Sequence, residues 1–383
     1  MAFRRFPPLL LPLGVAALLA AGLLSRLPSE ANPAGLNTAA SPAPGSAAAT
    51  IPGPPELSSP PPAAPAAGTG SSGSGSATPA VAPAAPGAGA PAAAGLPLLP
   101  SRPGLATTAD GRHYPLIPAD PAGTATLLAE LEQAVRSPAT PESALPALAH
   151  QQQVIYRVLS HQDARAAQVR SALPERWQGV FDLHIQARRA FNAMHDPARR
   201  PSKLPAWRIQ APRPAEDLLV YYREASAATG IPWQVLAAVN LVESGMGRID
   251  GVSVADAHGP MQFLPGTWAE PGIGNGGDIR DPRTAINAAA RYLVRRGGLR
   301  DIRKGLWGYN NSDLYGTGVL AYAELLRRDP SAYRGLYHWE IHYASAAGDI
   351  WLPVGYEESA AVPVAAWLSA NPAGAPPPGS SGY

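Results

Sequence analysis

The sequence predicts a mainly α-helical protein flanked by long segments that cannot fold. Two observations carry that reading. From Ala122 to Arg328 apolar residues recur at three- and four-residue spacing, with no alternation of strand and helix patterns. From Ala31 to Ser101, by contrast, Pro, Ala, Gly and Ser dominate, with one charge, Glu56, and no aromatic residue. Such a segment cannot bury enough surface to offset the entropy of ordering it.

The elements follow in chain order. Arg4 and Arg5 precede an uncharged apolar run from Leu9 to Leu24, an n-region followed by an h-region. Residues 1–30 therefore read as an export signal or, uncleaved, as a membrane anchor through residues 9–24. The run is short for a span and is broken by Pro12. Residues 31–104 form an extended linker, stiffened at stretches such as Pro60-Pro61-Pro62. A selected tether and compositional drift both account for it. The chain has no cysteine, which excludes disulfides and lipid attachment through one, so the fold must hold by packing. With 30 Lys plus Arg against 28 Asp plus Glu, the formal charge of +2 argues for no nucleic-acid partner.

Residues 105–212 read as a helical arm. Leu127, Leu128, Leu131 and Val135 make one stripe that ends before Pro138, and Val154, Ile155, Val158 and Leu159 make another. Trp177, Val180, Phe181, His184, Ile185 and Arg188 make a third after Pro174. His184 on that stripe reads as a packed histidine rather than a catalyst. The proline-rich stretch 197–214 marks a boundary.

Residues 213–330 read as a second helical domain. A helix from Ala215 to Thr229 closes at Gly230, and a second, more apolar one begins at Pro232. After a loop from Gly245 to Gly259, Asp281 caps a helix with Pro282 in its first turn. Ala285, Ala288, Ala289, Tyr292 and Leu293 form its inner stripe. Helices over Asp301–Tyr309 and Leu314–Arg328 complete the set.

Beyond Pro330, residues 331–358 are rich in Tyr and Trp. Polar and apolar residues alternate over His338–Tyr343, and Gly348-Asp349 precedes Ile350–Val354, the pattern of a β-hairpin. Its aromatics either stack on a ligand's rings or staple the chain to the core, packing being the simpler reading. His338, Glu340 and His342 would share one strand face. They lack the His-Glu-x-x-His helical spacing, so the face reads as solvated and no metal or other cofactor is assigned. Residues 359–383 return to Ala, Pro and Gly and read as a loose tail.

Glu243 is the residue that points to chemistry. It follows the uncharged run Pro232–Val242, apolar on nearly every side, and shares a stripe with Leu236, Val239 and Asn240. A carboxyl group held there loses the water around its charged form, so its pKa should rise into the range of a general acid. The plainer alternative is a helix-terminal glutamate turned to solvent.

The residues that follow carry a resemblance. Glu243-Ser244, then Gly259-Pro260-Met261-Gln262, then Tyr309-Asn310 resemble, in order and spacing, the motifs of bacterial lytic transglycosylases. Ala288-Ala289-Ala290-Arg291-Tyr292-Leu293 is similar to that family's Ala-Ala-x-Tyr-Leu helix. Pro260 stands where leucine is usual and Gly308 where alanine is usual; the Pro260 form looks like the secreted actinobacterial branch. The resemblance covers roughly residues 214–330. It implies a lysozyme-like helical catalytic domain, glycan strands of peptidoglycan as partner, an exported monomer, and cleavage of the β-1,4 bond from N-acetylmuramic acid to N-acetylglucosamine. In that reading Glu243 is the general acid and then the base. Ser244 holds the N-acetyl group, and Met261, Gln262, Phe263, Tyr309 and Asn310 line the cleft. Met261 and Phe263 as core residues, and Tyr309-Asn310 as a helix terminus, remain open. Asp256 is the first candidate for a second carboxylate, which would make the enzyme a hydrolase of lysozyme type. A wall-binding module without activity is the third reading.

Overall fold

The computed structural model describes residues 95–98 and 104–377. The export signal or anchor and nearly all of the linker lie outside the described residues. Four helices open the fold: α1 (Pro121–Arg136), α2 (Leu145–Leu159), α3 (Asp163–Ala172) and α4 (Glu175–Asn192). Two short strands, β1 (Lys203–Leu204) and β2 (Trp207–Ile209), lead to α5 (Ala215–Thr229) and α6 (Trp233–Ser244). Then come β3 (Ile249–Gly251), α7 (Pro265–Trp268), α8 (Pro282–Arg295), α9 (Ile302–Asn310), α10 (Asp313–Arg328) and α11 (Ala332–Tyr337). The hairpin β4 (Ile341–Ser345) and β5 (Gly348–Leu352), then β6 (Val362–Pro363) and α12 (Val364–Ala370), close it.

Side-chain caps set the helix starts where the sequence places them. Asp281 accepts from the Thr284 amide at 2.8 Å, Asp301 from Arg303 at 2.9 Å and Ser312 from Tyr315 at 3.3 Å, each satisfying a donor that the first turn leaves free. Helices α5 and α6 stop at Gly230 and Gly245, whose φ of 81° and 61° lie in the left-handed region that favours glycine.

One apolar core runs from Ala125 of α1 to Trp339, so the arm and the domain that follows it share their interior. Helix α10 lies at the junction. A Cβ on Gly318 would stand 2.4 Å from the Phe191 ring of α4, which is why glycine allows this close approach. Each of the leucines sealed there contributes about 1.5–3 kcal/mol.

Three expectations need correction. The proline-rich boundary is structured: β2 pairs antiparallel with β3, Arg208 opposite Asp250, and this ties the arm to the loop after Glu243. The tail is folded as far as residue 377. Strand β6 pairs with β1, and Val364 and Trp367 of α12 are buried against Trp207 and Tyr356 in a second apolar cluster. Two apolar residues one turn apart suffice for this, and the surrounding Ala and Pro conceal them in the composition.

The third correction concerns the hairpin. It forms with Ser345 opposite Gly348, but the face expected to be solvated is buried. Glu340 and His342 are 4% and 2% exposed, because α2 covers them and supplies partners. His342 Nδ1 lies 3.0 Å from Asp349 and its Nε2 2.9 Å from His150, while Arg112 donates to Glu340 at 2.6 Å. Among the described residues, no group of three metal-ligating side chains is arranged to hold an ion, and no helix is long and apolar enough to cross a membrane.

Candidate active site

Helix α6 is buried along almost its whole length and delivers Glu243 to its last turn, 2% exposed. The Tyr315 hydroxyl donates to Glu243 Oε1 at 2.7 Å. Burial pushes the carboxyl up to about 8, against the smaller opposing pull of that hydrogen bond, which favours the charged form. Burial and the neighbouring Glu243 hold the Tyr315 hydroxyl well above its ordinary range, so it stays protonated and remains a donor. The outward-turned alternative for Glu243 is therefore excluded.

The loop from Gly259 to Phe263 is docked beside Glu243 from two sides. Asn240 Nδ2 and Ser244 Oγ, one helical turn apart on α6, both donate to the Pro260 carbonyl, at 2.7 and 2.5 Å. Tyr309 on α9 donates to the Met261 carbonyl at 2.7 Å. Tyr222 donates to Asn240 Oδ1 at 2.5 Å and so fixes the amide's orientation. Gly259 has φ of 72°, and a Cβ there would sit 2.0 Å from the Ile279 carbonyl oxygen; no other residue fits. The loop closes through paired backbone bonds between His258 and Phe263, at 2.8 and 3.0 Å.

Gln262, at the tip, adopts a left-handed φ of 48°. A non-glycine residue is held in that sparsely populated region only when its surroundings over-determine it, a frequent feature of binding sites. Its Nε2 donates to the Gly259 carbonyl at 2.9 Å, while its Oε1 is buried without a partner among the described residues. That leaves one acceptor unspent in the loop docked on α6.

Of the other residues read from sequence, one is half-buried and the rest are buried or exposed away from Glu243. Tyr309 is half-buried and stacks on Tyr315, ring centroids 6.3 Å apart and planes 3° from parallel. Asn310 is buried at the end of α9, and the left-handed residue that ends that helix is its neighbour Asn311. Met261 is fully buried, and Phe263 packs among Trp268, Tyr292 and Tyr309. Both are core, and their contribution to the site is backbone position. Ser244 departs most from its expected role. Its hydroxyl is fully buried, donates to Pro260 and accepts from the Gly247 amide at 3.0 Å, so it fixes the loop rather than facing a ligand. Asp256 is not brought to Glu243. Its side chain is 73% exposed and lies 3.0 Å from His258 Nε2.

Tyr315 was not marked as a site residue by its sequence. The available signal was its place in the first turn of a Ser-capped helix, five residues after Tyr309-Asn310, on the stripe that continues through Val319 and Tyr322.

Residues 220–314 match the family model described as the transglycosylase SLT domain. The chain carries an SLT domain. The matched range runs from α5 into the start of α10 and includes every motif residue named above, stopping one residue short of Tyr315. The SLT domain is lysozyme-like, in keeping with the helical fold around Glu243. The match supports a transglycosylase acting on peptidoglycan, and hence a place outside the cytoplasmic membrane, where that polymer lies. No curated protein and no solved structure matches the chain.

Proposed function

We propose that this protein cleaves the β-1,4 bond between N-acetylmuramic acid and N-acetylglucosamine without consuming water, leaving 1,6-anhydro-muramyl ends, and that Glu243 alone serves as acid and then base. The observation that carries the reading is a lone buried carboxyl group at about 8, hydrogen-bonded to a tyrosine and not to a second carboxylate. A group with that pKa is largely protonated at neutral pH and can give its proton to the leaving glycosidic oxygen. The bond from the anomeric carbon to that oxygen breaks as the proton arrives. The substrate's own N-acetyl carbonyl stabilises the positive anomeric carbon. Glu243, now a carboxylate, takes the proton of the C6 hydroxyl, and the C6 oxygen closes on the anomeric carbon. Tyr315 holds Oε1, which directs Oε2 to the reacting oxygens and stabilises the carboxylate between the two proton transfers. Gln262 Oε1 is the free acceptor for a substrate N–H or hydroxyl, and the half-buried Tyr309, stacked on the buried Tyr315, supplies an aromatic wall.

The hydrolase reading needs a second carboxylate facing Glu243 across a water, and Asp256 lies exposed beside His258 instead. A silent wall-binding module has no use for a glutamate whose charge is so disfavoured. The protein as proposed is exported and works on wall glycan as a monomer.

Purified peptidoglycan digested with the full chain, with Glu243→Gln run beside it, tests this by mass spectrometry. Sugar ends lighter by one water, absent with the variant, are expected. Hydrated ends would establish a hydrolase, and binding without products from either protein would establish a binding module.

A further inference from the structure

Behind α6 lies a small cavity that the chemistry of Glu243 does not use, walled by Phe191, Leu241 and Trp339 as well as by polar side chains. The cavity, of about 20 Å³, is also lined by Val242 of α6, Arg157 and Gln153 of α2, Arg188 of α4, Tyr322 of α10 and Glu340. A space of that size holds about one solvent-sized particle and needs polar partners to do so.

The buried charges around it do not cancel. Arg157 is paired with Asp349, its Nε donating at 2.8 Å, and Glu340 with Arg112 at 2.6 Å. Arg248 reaches only the backbone carbonyls of Trp339 and Tyr337. Arg188, 9% exposed, donates to the Tyr322 hydroxyl, and its Nε is buried with no partner among the described residues. So four guanidinium groups, of Arg112, Arg157, Arg188 and Arg248, stand against three carboxylates, those of Glu340 and Asp349 and of the more exposed Asp110, which pairs with Arg112 at 2.6 Å. The two buried histidines add no negative charge. An uncompensated buried charge is strongly unfavourable. Losing the proton is no escape at neutral pH, since burial and Arg157 bring Arg188 down only to about 10.

We propose that this cavity binds one small monovalent anion of halide size, held by Arg188 with Arg157 and Tyr322. The sign follows from the excess of guanidinium groups. The size follows from the volume, which excludes acetate, phosphate and any part of a glycan. A water molecule could accept from Arg188 Nε but would leave its charge unopposed.

Crystals of the full chain soaked in sodium bromide should show an anomalous peak in the cavity within hydrogen-bond reach of Arg188 Nε. Water-like density there with no anomalous signal overturns the site. In solution, thermal unfolding in sodium chloride or bromide is compared with sodium gluconate, an anion too large to enter, at equal ionic strength. At a halide concentration about a hundred times its Kd, the folded-to-unfolded ratio should rise about a hundredfold, seen as a higher Tm. Arg188→Met removes the charge and keeps an unbranched apolar stem, a change that buried ionic sites often tolerate. It should unfold at the same temperature in all three salts. A wild-type Tm indifferent to halide, or a halide effect that persists in the variant, overturns the proposal. If the variant fails to fold, the bromide soak decides. None of these readouts uses glycan cleavage, so they stand apart from the activity proposed above.

Discussion

Glu243→Gln keeps the shape of the side chain and removes its proton chemistry. Cleavage should fall by at least about 10²–10⁴-fold while peptidoglycan binding in a pull-down persists; a variant that still cuts would remove Glu243 from the mechanism. Because the acid must be protonated, the wild-type rate should decline as pH rises through about 8. Stability carries the same sign. The folded-state pKa lies above the ordinary value of 4.5, so between 4.5 and about 8 the folded protein holds more protons than the unfolded chain. Glu243 therefore costs stability progressively over that window, by roughly 1.4 kcal/mol per pH unit, and costs nothing below it. Urea unfolding should show Glu243→Gln gaining on wild type between pH 5 and pH 8, and a constant difference would contradict the buried-acid assignment. Tyr315→Phe tests positioning. Loss of a hydrogen bond to a charged group, about 1.5–3 kcal/mol, predicts a kcat lowered about 10–100-fold with KM little changed. The alkaline limb should also move upward, a shift that a merely structural tyrosine would not cause.

At the scale of the element, the loop of residues 259–263 and helix α6 form one unit through the Pro260 carbonyl. Ser244→Ala leaves that carbonyl with the Asn240 amide alone and should lower stability by about 1–3 kcal/mol by chemical denaturation. If Ser244 instead holds the substrate's N-acetyl group, KM rises and stability is unchanged. The same loop shows what sequence reasoning could reach. Gly259, Gln262 and Tyr309 were marked in the sequence by the resemblance to the lytic transglycosylase motifs, whose order and spacing are local patterns. That Ser244, Met261 and Phe263 face inward was not legible there. Whether a side chain at a helix end or in a loop faces ligand or core depends on which atoms meet it, and Pro260, Trp268 and Tyr292 reach these residues only in the folded chain.

Across the whole molecule, the arm, the SLT domain and the C-terminal segment are bound by shared interior surface. Trp367 makes the point for the end of the chain. It is 8% exposed, meets Tyr356 with ring centroids 5.6 Å apart, and lies in a stretch whose composition reads as a tail. Trp367→Ala should lower unfolding stability by about 3–5 kcal/mol, whereas a loose tail would leave it unchanged.

The sequence by itself determined most of the long helices and the apolar helix that carries Glu243, because stripe spacing, capping residues and an uncharged run are local patterns that need no knowledge of the fold. Tertiary structure alone decided three further matters. It placed Tyr315 on Glu243 from 72 residues away, and it left Asp256 in solvent. It also gathered Arg112, Arg157, Arg188 and Arg248 around three carboxylates, of Asp110, Glu340 and Asp349, because the energy of a charge depends on what surrounds it in space.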